Sequence, residues 1–378
     1  MIEERKNSSD VVCLKKTVLI LSAFLVCVGV ALAVYFLWDR EEDVPEPPVV
    51  ESEPVISETP EPEPKPVPVN PLTGLPMDAE LVDDRPVAVV INNLKAALPQ
   101  QGIGQADIIF EVVTEGGITR MLALYQSLEG VETLGSIRST RTCFVELAMG
   151  LDAVLVHAGG SEQAYKDMKS WKTDHMDGVN GIYSYAGAGL FWRDRSRIEG
   201  YTFATEHSLI TNGPTLFGKL QESGFRLEHE EGYSSGLNFA EDGTPEDGDS
   251  AKTITVSFSK YKKDGVFRYD EERGLYLSSE YGAEHIDGNS GEQIAITNVL
   301  ILQTKVELVG DKYNHTEVDL SSGKGWFACG GKVIPILWEK GDKEQPLRYF
   351  TADGEPLLLG RGKSYICIVA DDREVTFE

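Results

Sequence analysis

The chain has 378 residues, a net charge of −26 and 41% hydrophobic residues. It is long enough for two globular domains, and so acidic a protein does not bind nucleic acid or another polyanion through bulk electrostatics. Five cysteines and six histidines show no metal-ligand spacing, and the three cysteines beyond the first apolar segment give no disulfide framework.

Residues 1–16 read as a cytoplasmic tail carrying Arg5, Lys6, Lys15 and Lys16. Residues 17–38 are apolar, and about 20 such residues cross a bilayer as a helix. The basic flank stays inside, so a single-pass anchor in the cell membrane would hold the bulk of the chain outside the cytoplasm. A cleaved signal peptide would be shorter and end in small residues. This one ends Val34-Tyr35-Phe36-Leu37-Trp38. Lipidation at Cys27 would need a small residue before it, and Val26 stands there. The pattern therefore favours an uncleaved signal anchor over both. Residues 39–70 are rich in Glu and Pro and form a semi-rigid tether.

Residues 71–240 alternate strand-like and helix-like runs, which predicts an α/β domain. Strands are expected at 87–91, 107–115 and 153–156, and helices at 140–149 and 161–169. Acidic, glycine-bearing residues 241–250 mark a linker. Residues 251–378 hold short strand-like runs at 253–258, 294–302, 332–338 and 364–369, which predicts a smaller, mostly-β domain. The fold class is thus α/β followed by β, α+β over the whole chain, with the two domains independent if their interface is small. Cys329 and Cys367 fall in strand-like runs and either pair or stay as buried thiols.

Chemistry concentrates between Asp107 and Ser161. If Gly116-Gly117 forms a two-residue hairpin turn, Arg120 pairs with Val113. Asp107, Glu111, Glu115 and Arg120 then share one strand face. Arg138 and Arg141 flank a predicted helix start capped by Ser139 or Thr140, where the helix dipole disfavours cations. Two guanidinium forks there would suit an anion, and the alternative is that they pair with Glu111 and Glu115. On the anion reading, replacing both arginines would cost little stability. His157 ends a strand, and Gly159, Gly160 and Ser161 lead into a helix, an arrangement that brings backbone N–H groups to an anion. The expected ligand-binding set is Arg120, Arg138, Arg141, His157, Gly159, Gly160 and Ser161. Asp107 and Glu111 are the candidate metal ligands. No catalytic residue is assigned.

Several segments carry a family resemblance: Asn70-Pro71-Leu72-Thr73-Gly74-Leu75-Pro76, Arg85-Pro86-Val87, Glu115-Gly116-Gly117-Ile118-Thr119-Arg120, Ile137-Arg138-Ser139 and His157-Ala158-Gly159-Gly160-Ser161. Together they resemble the YerB-like lipoprotein family of Gram-positive bacteria over about residues 70–370. The resemblance implies two domains and an envelope location, with no activity to carry over. The order of Asp107, Arg138 and His157 also resembles the LytR-CpsA-Psr glycopolymer transferases. That resemblance implies Mg²⁺ on Asp107 and phosphate on the arginines. Two functions follow. The first is a non-enzymatic envelope protein that binds a cell-wall polymer, a lipid-linked precursor or a membrane protein, with the membrane itself as partner through the anchor. The alternative is a Mg²⁺-dependent phosphotransferase or hydrolase.

Overall fold

The structure, a computed structural model, describes residues 67–198, 204–259 and 263–378, all within one compact unit, Lys65–Glu378. The expected membrane anchor, its cytoplasmic tail and nearly all of the tether lie outside the described residues. Among the described residues no helix is long and apolar enough to cross a membrane.

The N-terminal region contributes β1 (Val87–Asn92), β2 (Ile108–Val113), β3 (Thr119–Tyr125), α1 (Thr142–Gly150), β4 (Val154–His157), α2 (Glu162–Trp171), β5 (His175–Asp177) and α3 (Gly213–Glu222). The C-terminal region is mostly β. Its strands in the two principal sheets include β6 (Asp249–Ser250), β7 (Thr253–Ser259), β8 (Lys263–Asp270), β9 (Leu275–Glu280), β10 (Asn298–Thr304), β11 (Ser322–Cys329), β12 (Lys332–Lys340), β13 (Ser364–Ala370) and β14 (Val375–Phe377).

One sheet runs through both regions, in the order β6-β12-β11-β10-β13-β2-β3-β1-β4-β5. The join is β13, which lies parallel to β2 on one side and to β10 on the other. The expectation of two independent domains with a small interface therefore meets a continuous hydrogen-bonded ladder. The stretch around residues 241–250 is also tied down: β6 pairs with β12, and a side chain at Gly243 would collide with the Gly360 backbone.

Central strands are buried on both faces, which is why β1 (VAVVIN) and β13 read as continuous apolar runs. Val87, Val89 and Ile91 pack into one core with Ile254, Phe258 and Phe267 of the second sheet, which is built on β9-β8-β7-β14, and with Leu216 and Leu220 of α3. Ala88 and Val90 join the other core with Phe144, Val145 and Leu147 of α1 and Met168 of α2. Each such aliphatic or aromatic side chain contributes roughly 1.5–3 kcal/mol when removed from water. Cys143, Cys329 and Cys367 are buried free thiols, so Cys329 and Cys367 do not pair. Trp338 is core, its indole N–H donating to the Lys324 carbonyl at 3.1 Å.

Strands β1 and β2 both run antiparallel to β3, and β4 and β5 run parallel to β1. The carboxyl ends of β1, β2, β4 and β5 thus line one edge. Open α/β sheets place ligands at that edge.

Candidate anion-binding site

The hairpin at this edge differs from its expected form. Thr114 N–H donates to the Ile118 carbonyl at 2.7 Å, so the turn holds three residues, Glu115–Gly117. Gly116 and Gly117 both take positive φ, 68° and 74°, which glycine adopts without steric cost. The extra residue shifts the register by one: Arg120 pairs with Val112, not Val113. A one-residue slip moves a side chain to the other face. Arg120 therefore lies on the α1 side of the sheet, opposite Glu111.

That shift carries Arg120 to Arg141. Glu115 Oε1 lies 2.5 Å from Nη2 of both arginines, and Arg141 Nε donates to Glu115 Oε2 at 3.0 Å. The Arg141 contact is a two-point fork on a carboxylate. Arg141 is also the N-cap residue of α1, in place of Ser139 or Thr140, and no side chain caps that helix. Arg138 leans on Glu206, with Nη1 donating to its carbonyl at 3.4 Å and Nη2 3.8 Å from its carboxylate. Of the two alternatives for Arg138 and Arg141, the Glu115 half of the pairing is realised for Arg141 and the Glu111 half is not.

Two guanidinium groups thus share one half-buried carboxylate, and the third, Arg138, stands on the exposed Glu206. Arg120 is 3% exposed. Desolvation first, then the charge of Arg141, lowers its affinity for its proton to about 10, against the opposing pull of Glu115. Burial would raise the Glu115 carboxyl, but Arg120 and Arg141 hold it at about 2. Nη1 of Arg120 and Nε of Arg138 are buried with no hydrogen-bond partner among the described residues. Leaving such donors unpaired costs about 1–3 kcal/mol each, more for charged groups.

His157 and the Gly-Gly loop serve differently. His157 is fully buried, its Nδ1 bonding the Gly159 carbonyl at 2.8 Å and its Nε2 meeting His175 Nδ1 at 2.9 Å. Because the carbonyl can only accept, Nδ1 carries the proton and donates it, and Nε2 accepts from His175. Burial pushes its pKa down to about 4, so the ring is neutral. Two of the loop N–H groups are engaged by the protein: Gly159 N–H goes to Asp177 Oδ1 at 2.8 Å, and Ser161 N–H to the Thr140 carbonyl at 3.3 Å. Ser161 caps α2 by accepting from Ala164 N–H at 3.2 Å. Thr140 N–H donates to Gly159 O and Ala158 N–H to Arg138 O, each at 2.9 Å. The strand–Gly-Gly–helix loop is therefore filled by residues 138–140. It positions the arginine segment.

The structure does not bring Asp107 and Glu111 together. Four residues apart along a strand, they are separated by about 13 Å. Asp107 accepts from Asn70 Nδ2 at 3.0 Å and Gln126 N–H at 2.7 Å. Glu111 belongs to a buried network: Asn93 Nδ2, Thr119 Oγ1 and Tyr365 Oη donate to it at 2.8, 2.6 and 2.6 Å, and Lys263 Nζ lies 3.1 Å away. Lys263 also meets Glu280 at 2.7 Å. No group of three His, Cys, Asp or Glu among the described residues could hold a metal ion. Sequence reasoning missed this network and Glu206, because their partners are scattered along the chain and share no local pattern.

Residues 72–226 match the N-terminal domain, and residues 254–366 the C-terminal domain, of a family described as "Protein of unknown function (DUF3048)". The chain is 32% identical over 307 residues to "Putative lipoprotein YerB" of Bacillus subtilis (strain 168), covering 80% of this chain and 86% of that one. It also resembles the crystal structure of YerB protein from Bacillus subtilis, with a TM-score of 0.69 and 29% identity over 82% of this chain and 99% of that chain. The chain belongs to the YerB-like DUF3048 family, and carries both of its domains.

Proposed function

We propose that the protein is an extracytoplasmic envelope protein, held to the membrane through its N-terminus, that binds an anionic ligand at Arg138, Arg141 and Arg120. The observation that carries this reading is the surplus of positive charge at the carboxyl edge of the sheet: Arg120 and Arg141 share one half-buried carboxylate, Arg138 makes only long contacts to the exposed Glu206, and among the described residues Arg120 Nη1 and Arg138 Nε have no hydrogen-bond partner. Arg138, the least buried of the three, makes first contact. Arg141 shares its guanidinium with Glu115, and Arg120 acts from behind through its charge. His157, Gly159, Gly160 and Ser161 hold the arginine segment in place. A cell-wall polymer or lipid-linked precursor would present such an anion. The apolar residues 17–38, their basic flank and the lipoprotein name of the Bacillus relative support the location.

Binding is favoured over turnover because His157 spends both ring nitrogens inside the protein. Titration calorimetry with inorganic pyrophosphate at constant ionic strength tests the reading. The wild type binds one equivalent, and Arg138→Ala weakens binding about ten-fold or more, the loss of one charge-assisted hydrogen bond. Absence of saturable binding, or equal binding by Arg138→Ala, would overturn it.

A further inference from the structure

A cavity of about 450 Å³ opens on the other face of the main sheet, beside α3. That lies within the roughly 300–1,000 Å³ of small-molecule sites. Its floor is apolar, with Val87, Leu128, Leu220 and Leu227. Phe217 borders it and is 52% exposed, because Leu216 and Leu220 take the core-facing positions of α3 and turn Phe217 outward. An aromatic ring left this open beside an apolar cavity has surface to offer a ligand.

The polar part of the wall offers acceptors. Gln126 is 3% exposed, and its Nε2 donates to the carbonyls of Leu81 at 3.1 Å and Asp84 at 2.7 Å. Those two bonds fix the amide's orientation. They leave Oε1 buried with no donor among the described residues. Asp84 and Glu129 add two carboxylates to the lining. The lining's cation, Arg85, is turned away: its Nε donates to the Asp152 carbonyl at 2.7 Å, and Nη1 to Asp174 at 2.6 Å.

The geometry points to a binding site for a small organic ammonium compound, its apolar body on Phe217 and Leu220 and its protonated amine on the carboxylate of Asp84. An apolar floor supplies burial, a wall of acceptors selects a donor, and two carboxylates select positive charge. An anionic ligand would have to compete with Asp152 and Asp174 for Arg85. This site is separate from the arginine cluster, and each stands or falls without the other.

Decylamine, decanol and decanoate, each below its aggregation concentration, are titrated calorimetrically into the protein at neutral pH. Decylamine, protonated there, should fill one site about ten-fold more tightly than decanol, the value of one charge-assisted hydrogen bond, and decanoate should bind more weakly still. Phe217→Ala removes an exposed ring and leaves the fold intact. It should weaken decylamine about ten-fold through lost apolar burial. Asp84→Asn should abolish the preference over decanol. Unchanged affinity in Phe217→Ala would mean that the amine adsorbs on the acidic surface, and would overturn the proposal. So would decanoate binding as tightly as decylamine, or an undiminished amine preference in Asp84→Asn.

Discussion

Burial alone would raise the Glu115 carboxyl, yet Arg120 and Arg141 hold it at about 2, below its ordinary 4.5. A group whose folded pKa is depressed stabilises the fold above its unfolded value and loses that contribution as pH falls through the folded one. The Glu115 contribution is therefore complete above about pH 4.5 and fades towards pH 2. Glu115→Gln should unfold about 3 kcal/mol more easily at pH 7, because two buried guanidinium groups lose their shared partner. Urea titrations at several pH values should show that gap closing on acidification, and a gap independent of pH would contradict the assignment. The arginines divide in the same way. Arg138 makes two long contacts to a half-exposed glutamate, so Arg138→Ala should change stability by less than about 1 kcal/mol. Arg141→Ala leaves Glu115 without its fork and should cost about 3 kcal/mol. The structure therefore keeps the expectation of little cost for Arg138 and replaces it for Arg141. Thermal unfolding of the two single variants separates them.

At the level of the element, the hairpin of β2 and β3 fixes which residues can meet. Nothing lies within 4 Å of a side chain built at Gly116, so Gly116→Ala should cost about 1–2 kcal/mol, the penalty of a left-handed backbone alone. Deleting Gly117 is different. A two-residue turn would rotate Arg120 to the Glu111 face, away from Arg141, and the variant should lose cooperative unfolding in calorimetry. This element also shows what could be read in advance. The apolar runs of β1, β4 and β13, and the helices α1 and α2, are legible because burial on both faces leaves continuous hydrophobic strings, and Ser161 is a visible cap. The gathering of Arg120, Arg138 and Arg141 is legible from their proximity to the Gly-Gly turn and the helix start. The register was not, since Glu-Gly-Gly-Ile fits a turn of two residues or of three. Nor was the Glu111–Lys263–Glu280 network, whose members lie far apart in sequence and meet only through the fold.

Across the whole molecule, the decisive strand is β13, which comes from the end of the chain and sits between β10 and β2. Removing it exposes unpaired backbone along the centre of the sheet. Fragments 71–240 and 251–378 should therefore fail to fold separately, and dispersed amide spectra from either alone would contradict this. In the intact protein, Trp171 and Trp338, one in each region, should report one unfolding transition. The proposed location has its own test. Protease added to intact protoplasts should remove the described residues and spare a small N-terminal fragment, whereas survival of the full chain would refute the topology.

The central claim is that an anion sits on Arg138 and Arg141 in front of Arg120. The most direct measurement is nitrogen–proton NMR of the arginine Nε–Hε groups during titration with inorganic pyrophosphate at constant ionic strength. The Arg138 and Arg141 signals should shift together and saturate at one equivalent, with Arg120 following through its charge. If all three stay fixed, or if sodium chloride alone moves them as far, no anion occupies this site.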